Sequence, residues 1–172
     1  MRYTPVAAAI GLALLTVSSV GHGQRPDDQI DARSLALMEQ GIAAQRASNW
    51  DAATDALESS LVVDPRNRRA FIHLAEVAKA RGLQGKSIRL YREALALEPN
   101  DLSALAGQGD AMVAKGAVEK ARENLARIRT LCTGACTEAT TLAAVIAKGP
   151  PPAVVAAQAV APTPSVTETE KP

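Results

Sequence analysis

Aromatic residues are scarce in this chain. Tyr3, Trp50, Phe71 and Tyr91 are the whole set, 2% of 172 residues. Long β-branched runs are few as well, while alanine is abundant, so a β-sandwich or barrel is not expected. Charge of one sign is also missing. Nineteen Lys and Arg against eighteen Asp and Glu give a net charge of +1, far from the concentrated basic surface that nucleic acid requires. There are only two cysteines, too few for a disulfide-dense scaffold or a four-thiolate zinc site. What remains is ordinary globular material, 47% apolar and 22% charged, of a length that suits one domain.

Both ends stand apart from the middle. Met1 and Arg2 precede an uncharged run over 6–20, centred on Ile10, Leu12, Leu14 and Leu15. Gly21-His22-Gly23 then offers small residues at both places a signal peptidase inspects, so 1–23 is expected to be a signal peptide cut between Gly23 and Gln24. An uncleaved membrane anchor is the alternative, but the run falls short of the ~20 residues that cross a bilayer comfortably. No Cys near the cut could take a lipid. The leader would carry the chain to a periplasm, with no membrane span after cleavage. At the other end, residues 149–172 contain six prolines. Proline removes backbone donors and fixes φ, so this stretch reads as a disordered, partly extended tail. A short helix over 154–160 is the one local alternative.

The middle repeats. Asp64-Pro65 and Glu98-Pro99 are 34 residues apart, and the text before them matches: Ala56-Leu57 through Leu61 overlies Leu90-Tyr91 through Leu95. Three units follow, 34–67, 68–101 and 102–135, after a lead-in over 24–33 in which Asp27 or Asp28 is the expected helix N-cap. Each unit carries two amphipathic helical patterns with a break between them, at Ser48-Asn49, Arg81-Gly82 and Lys115-Gly116. Gly82 suits a left-handed cap. Gly41, Ala75 and Gly109 recur in the first helix, and Ala53, Ser87 and Ala121 in the second, where two antiparallel helices approach closely. Leu57, Tyr91 and Leu125 are expected to fill the space between successive hairpins. Each hairpin alone exposes an apolar face that stacking covers. Residues 136–148 make one more amphipathic helix, with Ala139, Leu142, Ala143 and Ile146 on one face, suited to cap the last hairpin.

At these residues the chain resembles the tetratricopeptide repeat proteins, over about 34–133. The second unit matches through Phe71, Leu74, Ala75, Ala78, Gly82, Tyr91, Ala94 and Pro99. The first matches through Leu37, Gly41, Trp50, Ala53, Leu57 and Pro65, and departs at Gln40 and Ser60. The third matches through Leu105, Gly109, Gly116, Ala121 and Leu125, with Thr133 in the closing proline place. An Ala-rich bundle without the superhelix would not account for the shared period. The resemblance implies an all-α fold: a right-handed α-α superhelix of three such hairpins plus a C-terminal capping helix. It also implies a concave groove lined by the first helix of each hairpin, holding a peptide or a partner helix. The groove residues carried over are Leu35, Met38, Ile42 and Gln45 from the first unit. Arg69, Ile72, His73, Glu76 and Lys79 come from the second, and Ser103, Ala106, Asp110 and Val113 from the third. Family members that clamp a terminal carboxylate use Lys and Asn at places held here by Met38, Ile42 and Ile72, so that activity is not expected.

Cys132 and Cys136 flank a Thr-Gly-Ala turn. In an oxidising compartment a bridge between them is the leading reading, and it would staple the last repeat to the capping helix. Haem attachment and thioredoxin-like chemistry both need a closer pair. Zinc would need two more ligands, and His73 is the one histidine left after leader removal. No catalytic constellation, metal site or cofactor site can be drawn. The expectation is a non-catalytic periplasmic adaptor or scaffold for a protein or peptide partner. Its rivals are a self-associating envelope assembly factor, in which a homo-oligomer forms, and an accessory subunit that positions a secretion or cofactor-maturation enzyme.

Overall fold

A computed structural model describes residues 29–159, with the backbone alone for 156–159. The expected leader and most of the proline-rich tail lie outside the described residues. Eight helices follow one another among the described residues: α1 Ala32–Arg46, α2 Trp50–Val63, α3 Arg68–Ala80, α4 Gln84–Leu97, α5 Leu102–Ala114, α6 Val118–Leu131, α7 Thr137–Lys148 and α8 Pro152–Ala159. The first six pair as antiparallel hairpins α1–α2, α3–α4 and α5–α6, and α7 covers the last one by packing on both α5 and α6. None of the described helices is long and apolar enough to cross a membrane.

Local chemistry sets the helix ends. The side chains of Asp31, Asn49, Asn67 and Asp101 accept backbone N–H bonds from the first turns of α1, α2, α3 and α5. The α1 cap is therefore Asp31, not Asp27 or Asp28, which lie outside the described residues. Asp31 is fixed from both sides: its carboxylate accepts from Arg33 N at 2.7 Å, and its own N–H donates to Asp64 at 3.1 Å. Ser48, Gly82 and Gly116 all adopt positive φ (55°, 76° and 86°), one at each hairpin turn in the 34-residue register. α8 starts in the stretch expected to be extended. Proline is compatible with the first helical position, and the following alanines favour helix.

The small residues do what close approach demands, though not always within one hairpin. A Cβ on Gly41 would sit 2.5 Å from Leu57 Cγ of its own hairpin. A Cβ on Gly109 would sit 2.8 Å from both methyls of Leu142, on the capping helix. Apolar burial then runs the length of the stack. Met38, Ile42, Leu57, Leu74 and Val77 form one cluster, Ala75, Tyr91 and Ala104 the next, and Leu105, Leu125, Ile128 and Leu142 the last.

Candidate functional site

The first helices touch in series: α1 packs on α3, α3 on α5 and α5 on α7. No comparable packing joins α2 to α4 or α4 to α6 among the described residues. The stack therefore closes on the side of the first helices and opens on the side of the second. A continuous surface of α1, α3 and α5 results.

A polar ladder crosses that surface. Gln45 of α1 donates to Glu76 Oε2 of α3 at 2.9 Å. His73 Nδ1 lies 3.1 Å from the same oxygen, one turn away. Lys79 of α3 donates to Asp110 of α5 at 2.5 Å. Both inter-helix rungs span 31 residues, so the repeat register itself places them. Arg69 extends the row toward Glu39 at 3.9 Å. Burial opposes ionisation of Glu76. Hydrogen bonds from His73 and Gln45, and the neighbouring His73 and Lys79 charges, outweigh it and hold the carboxyl below its ordinary value.

Beneath the ladder lies Tyr91 of α4, almost fully buried. Burial pushes its phenol up from the ordinary value, and the Glu76 and Asp110 charges push it further, so it stays neutral. It reaches this place because Gly107 of α5 has no side chain: a Cβ there would overlap the Tyr91 ring. The sequence reading missed Gly107. Its signal was present, since a large residue at 91 must find its space in the next hairpin.

Ten of the thirteen expected groove residues keep some surface, and three do not. Arg69 and Ser103 are exposed, and Leu35, Gln45, Ile72, His73, Glu76, Lys79, Ala106 and Asp110 are half-buried. Met38, Ile42 and Val113 are corrected to core positions, at 0%, 7% and 2% exposure. Met38 and Ile42 belong to the cluster that includes Ala70, Leu74 and Val77 of α3. The contact between α1 and α3 covers them, and the expected apolar end of the groove shrinks to Leu35. Val113 stands one repeat after Lys79, on the helix that α7 packs against.

Cys132 and Cys136 are bridged, with Cα atoms 6.1 Å apart. The bridge joins the end of α6 to the residue before α7. Among the described residues no three His, Cys, Asp or Glu side chains gather to hold a metal. What the surface offers is both charge signs and a shared imidazole–carboxylate pair, with Leu35, Ile72 and Ala106 half-buried beside them.

No protein-family model matches the sequence, and no curated protein sequence matches it. Solved structures do. The first tetratricopeptide repeat (TPR) domain of Spaghetti (RPAP3), bound to the HSP90 peptide SRMEEVD, superposes with a TM-score of 0.63 at 22% identity, over 69% of this chain and 94% of that one. The TPR2B domain of yeast Sti1, in complex with pHsp70, gives 0.64 at 18% identity, over 69% and 96%. An O-GlcNAc transferase of Thermobaculum terrenum gives 0.60 at 27% identity over 67% of this chain, but only 22% of that enzyme. With these likenesses and its stacked antiparallel hairpins, the chain has the all-α fold of tetratricopeptide repeat domains.

Proposed function

We propose that this chain is a non-catalytic adaptor that holds an extended peptide or a partner helix along the surface of α1, α3 and α5. The observation that carries the reading is the ladder of Gln45, His73, Glu76, Lys79 and Asp110. It is fixed by hydrogen bonds yet keeps a third or so of the Glu76, Lys79 and Asp110 side chains in solvent. Fixed charges of both signs set register, and the half-buried Leu35 and Ile72 supply apolar anchors. The HSP90 peptide and the pHsp70 named for the two similar TPR domains above lend the reading support. A terminal-carboxylate clamp is not part of it, because Met38 and Ile42 are core and Ile72 carries no charge. The action involves no turnover and no cofactor.

We place this action in the periplasm of a Gram-negative-type envelope. The leader pattern over 1–23 and the Cys132–Cys136 bridge support that placement. N-terminal sequencing of the mature protein tests it: a start at or near Gln24 is expected, and Met1 retained in a soluble fraction would overturn it.

The binding reading is tested by capture from intact envelopes with mass-spectrometric identification. Wild type is compared with Arg69→Glu/Lys79→Gln. Glutamine is used at position 79 because a carboxylate there would face Asp110. Partners lost by the double variant, at an unchanged circular dichroism spectrum, support the groove. An identical set of partners contradicts it. Sedimentation at several concentrations separates self-association from adaptor action.

A further inference from the structure

The open side of the stack holds a second feature, away from the ladder. Where α4 and α6 diverge, a cleft of about 370 Å³ forms against the α5–α6 turn. Ile88 and Met112 give it an apolar floor, and Arg92, Lys115 and Lys120 give it three cations; no carboxylate lines it. None of the three has a carboxylate partner among the described residues, whereas Lys86, two residues before Ile88 on α4, pairs with Glu58 at 3.1 Å.

Two of the three cations also approach helix N-termini, although Lys115 is itself the C-cap of α5, where a cation is favourable. Lys120 lies in the first turn of α6, and Lys115 Nζ reaches back over the first turn of α4, 3.6 Å from where a Cβ on Gly85 would stand. Helix N-termini carry partial positive charge, so cations there are unfavourable. Neither α4 nor α6 has a side-chain cap, unlike α1, α2, α3 and α5. Lys120 in an uncapped first turn breaks a local rule, and such breaks mark places where function outweighs stability. An apolar floor under uncompensated positive charge is complementary to an apolar side chain flanked by carboxylates.

We propose that this cleft docks an acidic peptide segment of a partner protein. One apolar side chain enters over Ile88 and Met112, and flanking carboxylates meet Arg92, Lys115 and Lys120. The site is separate from the ladder surface and does not depend on it. A bound segment here would leave the α1–α3–α5 face free, so the chain could bridge two partners.

The test uses the full chain and a fluorescein-labelled peptide of alternating glutamate and leucine, with fluorescence polarisation and amide chemical shifts as readouts. Binding is expected to weaken at least about tenfold in Arg92→Glu/Lys120→Glu, with Lys115→Gln as a milder second variant. A similar loss is expected when glutamine replaces glutamate, or serine replaces leucine, in the peptide. Shifts should centre on Gly116, Ala117 and Val118, and Arg69→Glu/Lys79→Gln should leave them in place. Four results would overturn the proposal: no binding to wild type at millimolar peptide, equal binding to the cleft variants, equal binding of the serine peptide, or loss in the ladder variant alone. A fifth is tenfold tighter binding once residues 160–172 are removed, which would make the chain's own acidic tail the occupant.

Discussion

The first and third hairpins share one geometry and close by different chemistry. In the first, Ser34, Ser60 and Asn67 form a fully buried polar knot. The two serine hydroxyls lie 2.9 Å apart, and Asn67 Nδ2 donates to them at 3.0 and 3.2 Å. One repeat on, Arg68 and Asp101 take two of these places and form an ion pair at 2.9 Å. Two repeats on, Leu102 and Ile128 take them and the seam is apolar. Position 64 shows the same drift. Asp64 ties the first hairpin together by accepting from Asp31 N and from Arg66. The residue 68 places later is Cys132, which ties the last hairpin to α7 by a covalent bond. The period fixes where the closures fall, not what they are made of. Each end of the stack should therefore fail under a different insult.

The largest effect is expected in the apolar seam. Ile128→Ala should cost roughly 2–5 kcal/mol by leaving a cavity between α6 and its neighbours. Asn67→Ala should cost about 2–3 kcal/mol, because it strips the donor from two buried hydroxyls and also uncaps α3 at Ala70. Urea unfolding measures both. Hydrogen exchange sharpens the contrast, because repeats contact only their neighbours. The first variant should loosen α5 to α7 and spare α1 and α2, and the second should do the reverse.

Reduction of Cys132–Cys136 opens a short loop and returns its entropy to the unfolded chain, a cost to the fold of about 2 kcal/mol, and should be felt at α6 and α7 alone. Acid should act at the other end. Burial would raise the Asp64 carboxyl, but hydrogen bonds from the Arg66 side chain and from the Arg66 and Asp31 backbones outweigh it and hold it low. A carboxyl lower in the folded state than in the unfolded stabilises above the ordinary value. That contribution is lost as pH falls below about 4 through the folded value. Glu76 adds in the same sense. Thermal melts from pH 6 to pH 2 should fall less in Asp64→Asn than in wild type. The smallest effect is a gain. Ser48 holds φ 55° where the other two turns have glycine, so Ser48→Gly should stabilise by about 0.5–1 kcal/mol, raising the melting midpoint.

These contrasts mark how far the sequence could be read. The helix breaks at 48, 82 and 116, and the close approach at Gly41, were legible because backbone sterics repeat with the chain. The departure of Ser60 was visible, but not its purpose, since its partners Ser34 and Asn67 lie 26 and 7 residues away. The groove was legible in outline only. Gln45, Lys79 and Val113 occupy one repeat place, yet two bind the next helix and one is buried. Met38 and Ile42 vanish under α3 because burial depends on how tightly two helices settle, which periodicity does not record. The basic cleft was hidden for a plainer reason: residues 92, 115 and 120 come together only once α4 and α6 splay.

Selection of a random peptide library on the full chain tests the adaptor account most directly. Selected sequences should bind wild type and lose at least about tenfold affinity in Arg69→Glu/Lys79→Gln, with amide shifts along α1, α3 and α5. Failure to enrich any sequence, or enrichment of peptides that bind the double variant equally well, would contradict it.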